Sequence, residues 1–159
     1  MNTEIIYNLK RFVYAQESDE LVTYAKALEE MKKGRKSSHW IWYIFPQIKG
    51  FGYSAMTKKY AIGSIDEAVA YLQHPVLGPR LTEITQAILD HNAATKDSIW
   101  DMMGNNVDVL KFKSCMTLFW CASRKINAET ANSSIFKEAI DKLLNGNWCK
   151  KTTETINNS

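Results

Sequence analysis

Residues 38–47 place, within one short segment, side chains that suit the binding of a planar ligand. Four of them are aromatic, and Trp40 and Trp42 carry the broadest rings. A tryptophan has a large apolar face and one N–H donor, so such a run forms either the wall of a cavity or the hub of a core. His39 is a candidate general acid or base, or else a structural histidine that donates to a backbone carbonyl. Gln47 offers donors and an acceptor to the edge of a base or an amide, or else it fixes the following turn.

Four basic residues precede this segment. Lys32 and Lys33 come just before Gly34, and Arg35 and Lys36 come just after it. Cations beside tryptophan and tyrosine rings suit a ligand whose base stacks while its phosphate is held by charge. The alternative is a solvated helix end, where the helix dipole favours cations in any case.

A polar strip on an apolar helix is the second candidate. From about residue 106 to residue 122 the chain is apolar on most faces, which is typical of a buried central helix. Asp108, Lys111 and Ser114 follow at intervals of three and therefore lie on roughly one face. Because an unpaired buried charge is costly, the strip either faces solvent or lines a polar pocket that holds a ligand or moves a proton.

The elements that must position these residues are helices. Apolar residues recur at intervals of three and four along stripes that start at Ile5, Leu21, Ile65, Leu77 and Phe136. Only residues 39–45 are compatible with a strand, and a single strand has no partner here. The spacing predicts an all-α fold, a compact multihelical single domain of about seven helices. We expect the domain to cover residues 1–149 and residues 150–159 to form a flexible C-terminal tail.

Composition narrows the function classes. The chain has 159 residues, 45% of them hydrophobic, and a net charge of +3, which permits anionic ligands without requiring nucleic acid. The three cysteines show no paired spacing, which favours a reducing, cytoplasmic setting, and the longest apolar stretch is too short to span a bilayer. The scattered histidines have no metal-ligand spacing, so we expect neither a metal nor a cofactor; the oligomeric state stays open.

Several blocks of the sequence resemble a known family. They are residues 12–16, 74–81 and 111–119, together with residues 34–47 and their Ser-His-Trp-x-Trp-x-x-Phe-Pro-Gln pattern. The blocks resemble those of the bacterial DUF1810 family over nearly the whole chain. This resemblance implies a compact, mostly helical fold and brings no established reaction.

A fainter similarity concerns the order of residues 15–16, 74–77 and 100–101. It resembles the order of motifs in the NADAR (YbiA-like) N-glycosidases, which are linked to ADP-ribose and early riboflavin intermediates. The similarity implies hydrolysis of the N-glycosidic bond of a nucleotide or ADP-ribose-like substrate. Such a reaction needs a carboxylate near the sugar, an acid for the leaving base and a stacking wall. We assign Asp101 or Asp108 as the carboxylate, His39 as the acid or a base contact, Trp40 and Trp42 as the wall, and Arg35, Lys36, Arg80 and Lys111 as phosphate holders.

Two other functions use the same residues. A non-catalytic module would bind a nucleotide or single-stranded nucleic acid through the same rings and cations. Gln47 and Ser114 complete the expected substrate-binding residues. A protein-interaction domain would present the tryptophans as an exposed patch. Rings enclosed around a cleft favour a ligand, whereas a flat exposed patch favours a partner protein.

Overall fold

The computed structural model describes residues 2–158, and its regular elements are helical. The α-helices are α1 (Thr3–Ile6), α2 (Lys10–Glu17), α3 (Tyr24–Lys33), α4 (Ile41–Ile44), α5 (Ala55–Lys59), α6 (Ile65–Gln73), α7 (Leu77–Thr95), α8 (Ile99–Met103), α9 (Asn106–Ile126), α10 (Ile135–Leu143) and α11 (Lys150–Asn157). A 3₁₀ helix covers Ala131–Ser133. Seven α-helices have seven residues or more, so the predicted all-α class and number of helices are confirmed. Within residues 2–158 no helix has the combined length and apolarity that a membrane crossing requires.

Local sequence sets the helix ends that matter for the candidate sites. Gly34 ends α3 with a positive φ of 79°, as its position predicts, and it turns the chain toward residues 35–38. Ser64 caps α6 by accepting a hydrogen bond from the Glu67 backbone N–H. The start of α3 is capped by Thr23, because its side chain accepts from the Lys26 backbone N–H.

Helix α9 is the central helix and packs against α6, α8, α10 and α11. Phe112 and Phe119 on this helix are fully buried. The Phe119 ring lies 5.2 Å from Tyr71 and 5.9 Å from Phe136, centroid to centroid, so α9 ties the aromatic core together. The opening turns of α9 do not follow the predicted burial, because Val107 and Leu110 are exposed.

The aromatic segment lies mainly inside the core. Trp40, Tyr43 and Phe45 are fully buried, and the Phe45 ring meets Phe112 edge-on at 5.1 Å. Trp42 is only partly buried and packs against the margin of the core. Most of the segment is therefore a core hub, which is one of the two alternatives that its sequence leaves open.

The C-terminal residues differ from the predicted flexible tail. Residues Lys150–Asn157 form helix α11, which packs on α9. Thr152 is fully buried, and its hydroxyl shares a hydrogen bond of 2.9 Å with the hydroxyl of Ser114. The polar composition of this segment predicts a tail, but a long-range contact that local sequence does not encode attaches it to the domain.

Candidate ligand-binding groove

An open groove of about 530 Å³ lies between the first half of α9 and residues 147–150, and we call it the α9 groove. Its apolar surface includes Val107, Leu110 and Trp148, which are 60%, 53% and 45% exposed. The lining residues are Gln47, Phe51, Val107, Leu110, Lys111, Lys113, Asn147, Trp148, Cys149 and Lys150. Concave sites with apolar walls and a few polar groups are typical of ligand binding.

One face of α9 forms the first wall. Leu110, Lys113 and Thr117 follow at intervals of three and four, so they lie on the same side of the helix. The Thr117 hydroxyl accepts a hydrogen bond of 2.9 Å from the Cys149 backbone N–H. This contact holds residues 147–150 against α9 and makes them the second wall.

Trp148 is the largest side chain of the second wall. Its ring lies 6.2 Å from the ring of Trp120, which is farther along the same face of α9. The pair of Ser114 and Thr152 anchors the helix that follows. Trp148 is therefore held from both sides by contacts to α9 while nearly half of its surface stays exposed.

The α9 groove carries positive charge. Lys111, Lys113 and Lys150 line it, and none of its lining residues is acidic. Lys151 adds a fourth cation beside the lining residue Phe51, with its ammonium 4.7 Å from the ring centroid. Basic residues are not balanced by acidic ones in this lining, whereas in the whole chain they nearly are, since its net charge is +3. Such a groove attracts anionic ligands.

Two predicted binding residues line this groove, and a third lies beside it. Gln47 and Lys111 line it, and the Lys111 ammonium lies 5.1 Å from the Trp42 ring centroid. Trp42 and Gln47 also line an adjoining crevice. The structure thus brings Trp42, Gln47 and Lys111 together, whereas sequence reasoning missed Trp148.

A second cavity, of about 550 Å³, is polar. We call it the polar cleft, and it brings the predicted residues Arg35, Lys36 and Asp101 together. Its lining residues are Lys33, Gly34, Arg35, Lys36, Asp97, Asp101 and Gly104. The Asp101 carboxylate accepts a hydrogen bond of 2.8 Å from the Ser98 backbone N–H in a capping box at the start of α8. This backbone bond, with one to the Ser98 side chain, lowers the pKa of Asp101 below its usual range.

Asp108 does not line this cleft, but it pairs with the lining residue Lys36. Its carboxylate lies 2.9 Å from the Lys36 ammonium, and both side chains are almost fully buried. The same ammonium donates to the Ser38 carbonyl at 2.7 Å and lies 5.0 Å from the Trp40 ring centroid. Lys36 and Asp108 therefore hold the segment after α3 against α9.

Glu30 is a buried carboxylate that sequence reasoning missed. It accepts four hydrogen bonds, from the Ser37 and Ser38 backbone N–H groups, the Ser38 hydroxyl and the Trp40 indole N–H. Burial by itself raises the pKa of Glu30, but the hydrogen bonds outweigh it and lower the pKa to about 2. The available signal was spacing, since Tyr24 and Ala27 place position 30 on the buried face of α3.

The remaining predicted residues lie outside both cavities. Arg80 donates to Gln16 at 3.2 Å and to Glu17 at 2.9 Å. Ser114 is buried in its contact with α11, and His39 is exposed. Within residues 2–158 no group of three or more histidine, cysteine or acidic residues is arranged to hold a metal ion.

Comparison with known proteins gives the family. The family model described as "Protein of unknown function (DUF1810)" matches residues 6–156. The chain belongs to the DUF1810 family. This DUF1810 chain is also similar to a solved structure, that of the conserved hypothetical protein Rv1873 from Mycobacterium tuberculosis, with 38% sequence identity and a TM-score of 0.81. The match covers 96% of this chain and 98% of the other. A search of curated proteins finds no significant match.

The residues of the expected NADAR-like motifs make structural contacts in this DUF1810 chain. Gln16 is buried and donates to the Tyr43 carbonyl at 2.9 Å. The His74 Nδ1 atom accepts from the backbone N–H of Val76 at 3.1 Å, and Asp101 caps α8. These contacts give Gln16, His74 and Asp101 structural roles.

Proposed function

We propose that this DUF1810 chain is a binding module for nucleotide-like anions and that the ligand occupies the α9 groove. The observation that carries the proposal is the half-exposed ring of Trp148 in a groove with three lining lysines and no lining acid. An indole face binds a base by stacking, and the lysines attract its phosphate.

Each wall has its own role in this proposal. Trp148 stacks on the base, an interaction that contributes about 1–3 kcal/mol per base. Lys113 and Lys150 hold the phosphate, and Lys111, placed over Trp42, adds a third cation. Gln47 offers its amide to the edge of the base, since an amide has both donors and an acceptor.

The first experiment compares two tryptophans of equal exposure. Trp148 and Trp100 are both 45% exposed, but Trp100 does not line the groove. We expect Trp148→Ala to weaken binding of AMP or ADP-ribose about tenfold or more in isothermal titration at low salt, because a stacking contact is lost. Trp100→Ala is the control and should bind like the unmodified protein. Equal affinities of the two variants would refute the assignment of the groove.

Hydrolysis of an N-glycosidic bond is the second candidate function. One observation favours it, because the polar cleft brings the predicted residues Arg35, Lys36 and Asp101 to one cavity. In that cleft Asp101 would stabilise positive charge on the sugar, and Arg35 would hold a phosphate. The similarity of short motifs to NADAR proteins is part of this second proposal.

The variant Asp101→Asn tests this second candidate. Asparagine retains an oxygen that accepts from the Ser98 N–H, so the capping box survives while the charge is lost. Turnover of nucleosides or ADP-ribose is measured by chromatography, as the amount of free base that is released. The candidate requires turnover by the unmodified protein and its loss in the variant. Turnover that is absent from both, or equal in both, would remove it.

A further inference from the structure

The apolar and basic surface of α9 continues beyond the groove. Trp120 follows Lys113 by seven residues and Arg124 follows Trp120 by four, so all three lie on one face. The Arg124 guanidinium carbon lies 5.7 Å from the centroid of the Trp120 ring, a cation–π distance. A second ring with its own cation therefore lies next to Trp148, at 6.2 Å between ring centroids.

The charge beside Trp120 is only partly neutralised. The Lys137 ammonium also lies 5.5 Å from the ring centroid, but both oxygens of Asp141 pair with it at 2.7 Å. Arg124 is exposed and forms no ion pair with a residue in the range 2–158. Arg124 thus provides the available positive charge at this end of the surface.

Trp120 also has an unused donor. Its indole Nε1 is buried and has no hydrogen-bond partner among residues 2–158. Leaving a buried donor unpaired costs free energy, and such groups are rare in folded proteins. Because this atom is enclosed, a ligand on the surface does not reach it, and what Trp120 offers to a ligand is its partly exposed ring.

The length of this surface exceeds a single nucleotide. Leu110 and Arg124 are separated by fourteen residues of α9, which corresponds to about 21 Å along the helix axis. Stacked nucleotides of one strand are spaced about 3.4 Å apart, so a mononucleotide at Trp148 covers only part of this surface, whereas several nucleotides of one strand would fill it.

We propose that the ligand is a single-stranded nucleic acid that runs along this face of α9, with one base at Trp148, the next near Trp120 and a phosphate at Arg124. This inference rests on the proposed function of the α9 groove and extends it. Stacking on indole rings needs unpaired bases, which a duplex does not offer. It also tolerates every base, so binding depends on salt more than on sequence.

The test compares Arg124→Ala with Lys125→Ala. Both variants lose one positive charge. Lys125 is the control because it lies on another face of α9, where it pairs with Asp66. The probes are fluorescein-labelled dT10, the corresponding RNA, and AMP. For Arg124→Ala we expect roughly five-fold weaker binding of a labelled strand, and a plot of log affinity against log salt whose negative slope is shallower by about 0.7. AMP affinity should not change, and Lys125→Ala should match the unmodified protein.

The outcomes separate the two proposals. If AMP binds but the strands bind no more tightly, or if the two variants behave alike, the extension to a strand is wrong and the groove assignment stands. If neither AMP nor a strand binds, both proposals are wrong. Strand binding that depends on Arg124 supports both.

Discussion

Replacing Glu30 with glutamine removes one buried charge and retains most of its geometry. The remaining amide oxygen is able to accept from the backbone N–H groups of Ser37 and Ser38 and from the Trp40 indole, which all donate to one carboxylate oxygen. The pKa of Glu30 is lowered from 4.5 to about 2. At about 1.4 kcal/mol per pKa unit this corresponds to about 3 kcal/mol of stability at neutral pH. We expect Glu30→Gln to lose an amount of that order.

The pH dependence of the loss is the sharper part of this prediction. Because the pKa of Glu30 is lower in the folded chain than in the unfolded chain, its contribution is complete above pH 4.5 and disappears as the pH falls toward 2. Urea unfolding of both proteins between pH 7 and pH 3 gives the difference in unfolding free energy. That difference should be largest at pH 7 and shrink in acid.

The neighbouring residue supplies the control. Glu29 is exposed and pairs with Lys33 at the surface, so Glu29→Gln should change the free energy of unfolding very little. The reasoning fails if Glu30→Gln is as stable as the unmodified protein at pH 7. It also fails if the difference between them does not vary with pH.

Two further variants test how the segment after α3 is held. Lys36→Met leaves Asp108 as an unpaired buried carboxylate, and we expect a loss of about 3–5 kcal/mol in urea unfolding. The double variant with Asp108→Leu should recover most of it, and an equal loss in both would contradict this account. Gly34→Ala should lower the melting temperature more than Gly104→Ala. Both glycines have positive φ, but a β-carbon at Gly34 would overlap the His91 ring, whereas nothing lies within 4 Å at Gly104. Equal melting temperatures would show that the His91 contact does not matter.

The helices were predictable because their signals are local. Ser64 and Gly34 mark helix ends through their own hydrogen bonds or backbone conformation. Helix α11 was not predictable in this way, because its buried Thr152 pairs with Ser114, a residue 38 positions away. A polar segment that depends on such a contact looks like a tail when it is read by composition.

The candidate site was predictable only in part. Gln47 and Lys111 do line the groove, although their roles stay predictions. The sequence predicts Trp40 as a stacking wall, but its indole N–H donates to Glu30 inside the core. A large ring suits the wall of a cavity as well as a core. Trp40 lies in the core because Glu30, on another helix, supplies a buried acceptor for its N–H. Trp148 was missed because it lies in a short link, where no periodic pattern singles it out.

The residues just before α11 shape the groove, whereas the aromatic core lies elsewhere in the domain. Residues 147–150 form the second wall of the groove but add no ring to the aromatic core around Phe112 and Phe119. Their position depends on hydroxyl contacts of Thr117 and Ser114 and on the contact between the Trp148 and Trp120 rings. A chain shortened before residue 147 would keep the rings of Phe112 and Phe119, but it would lose one side of the groove together with Ile156, which packs against the core. Exchanges at residues 147–150 would therefore reshape one wall of the groove without replacing the aromatic side chains of Phe112 and Phe119.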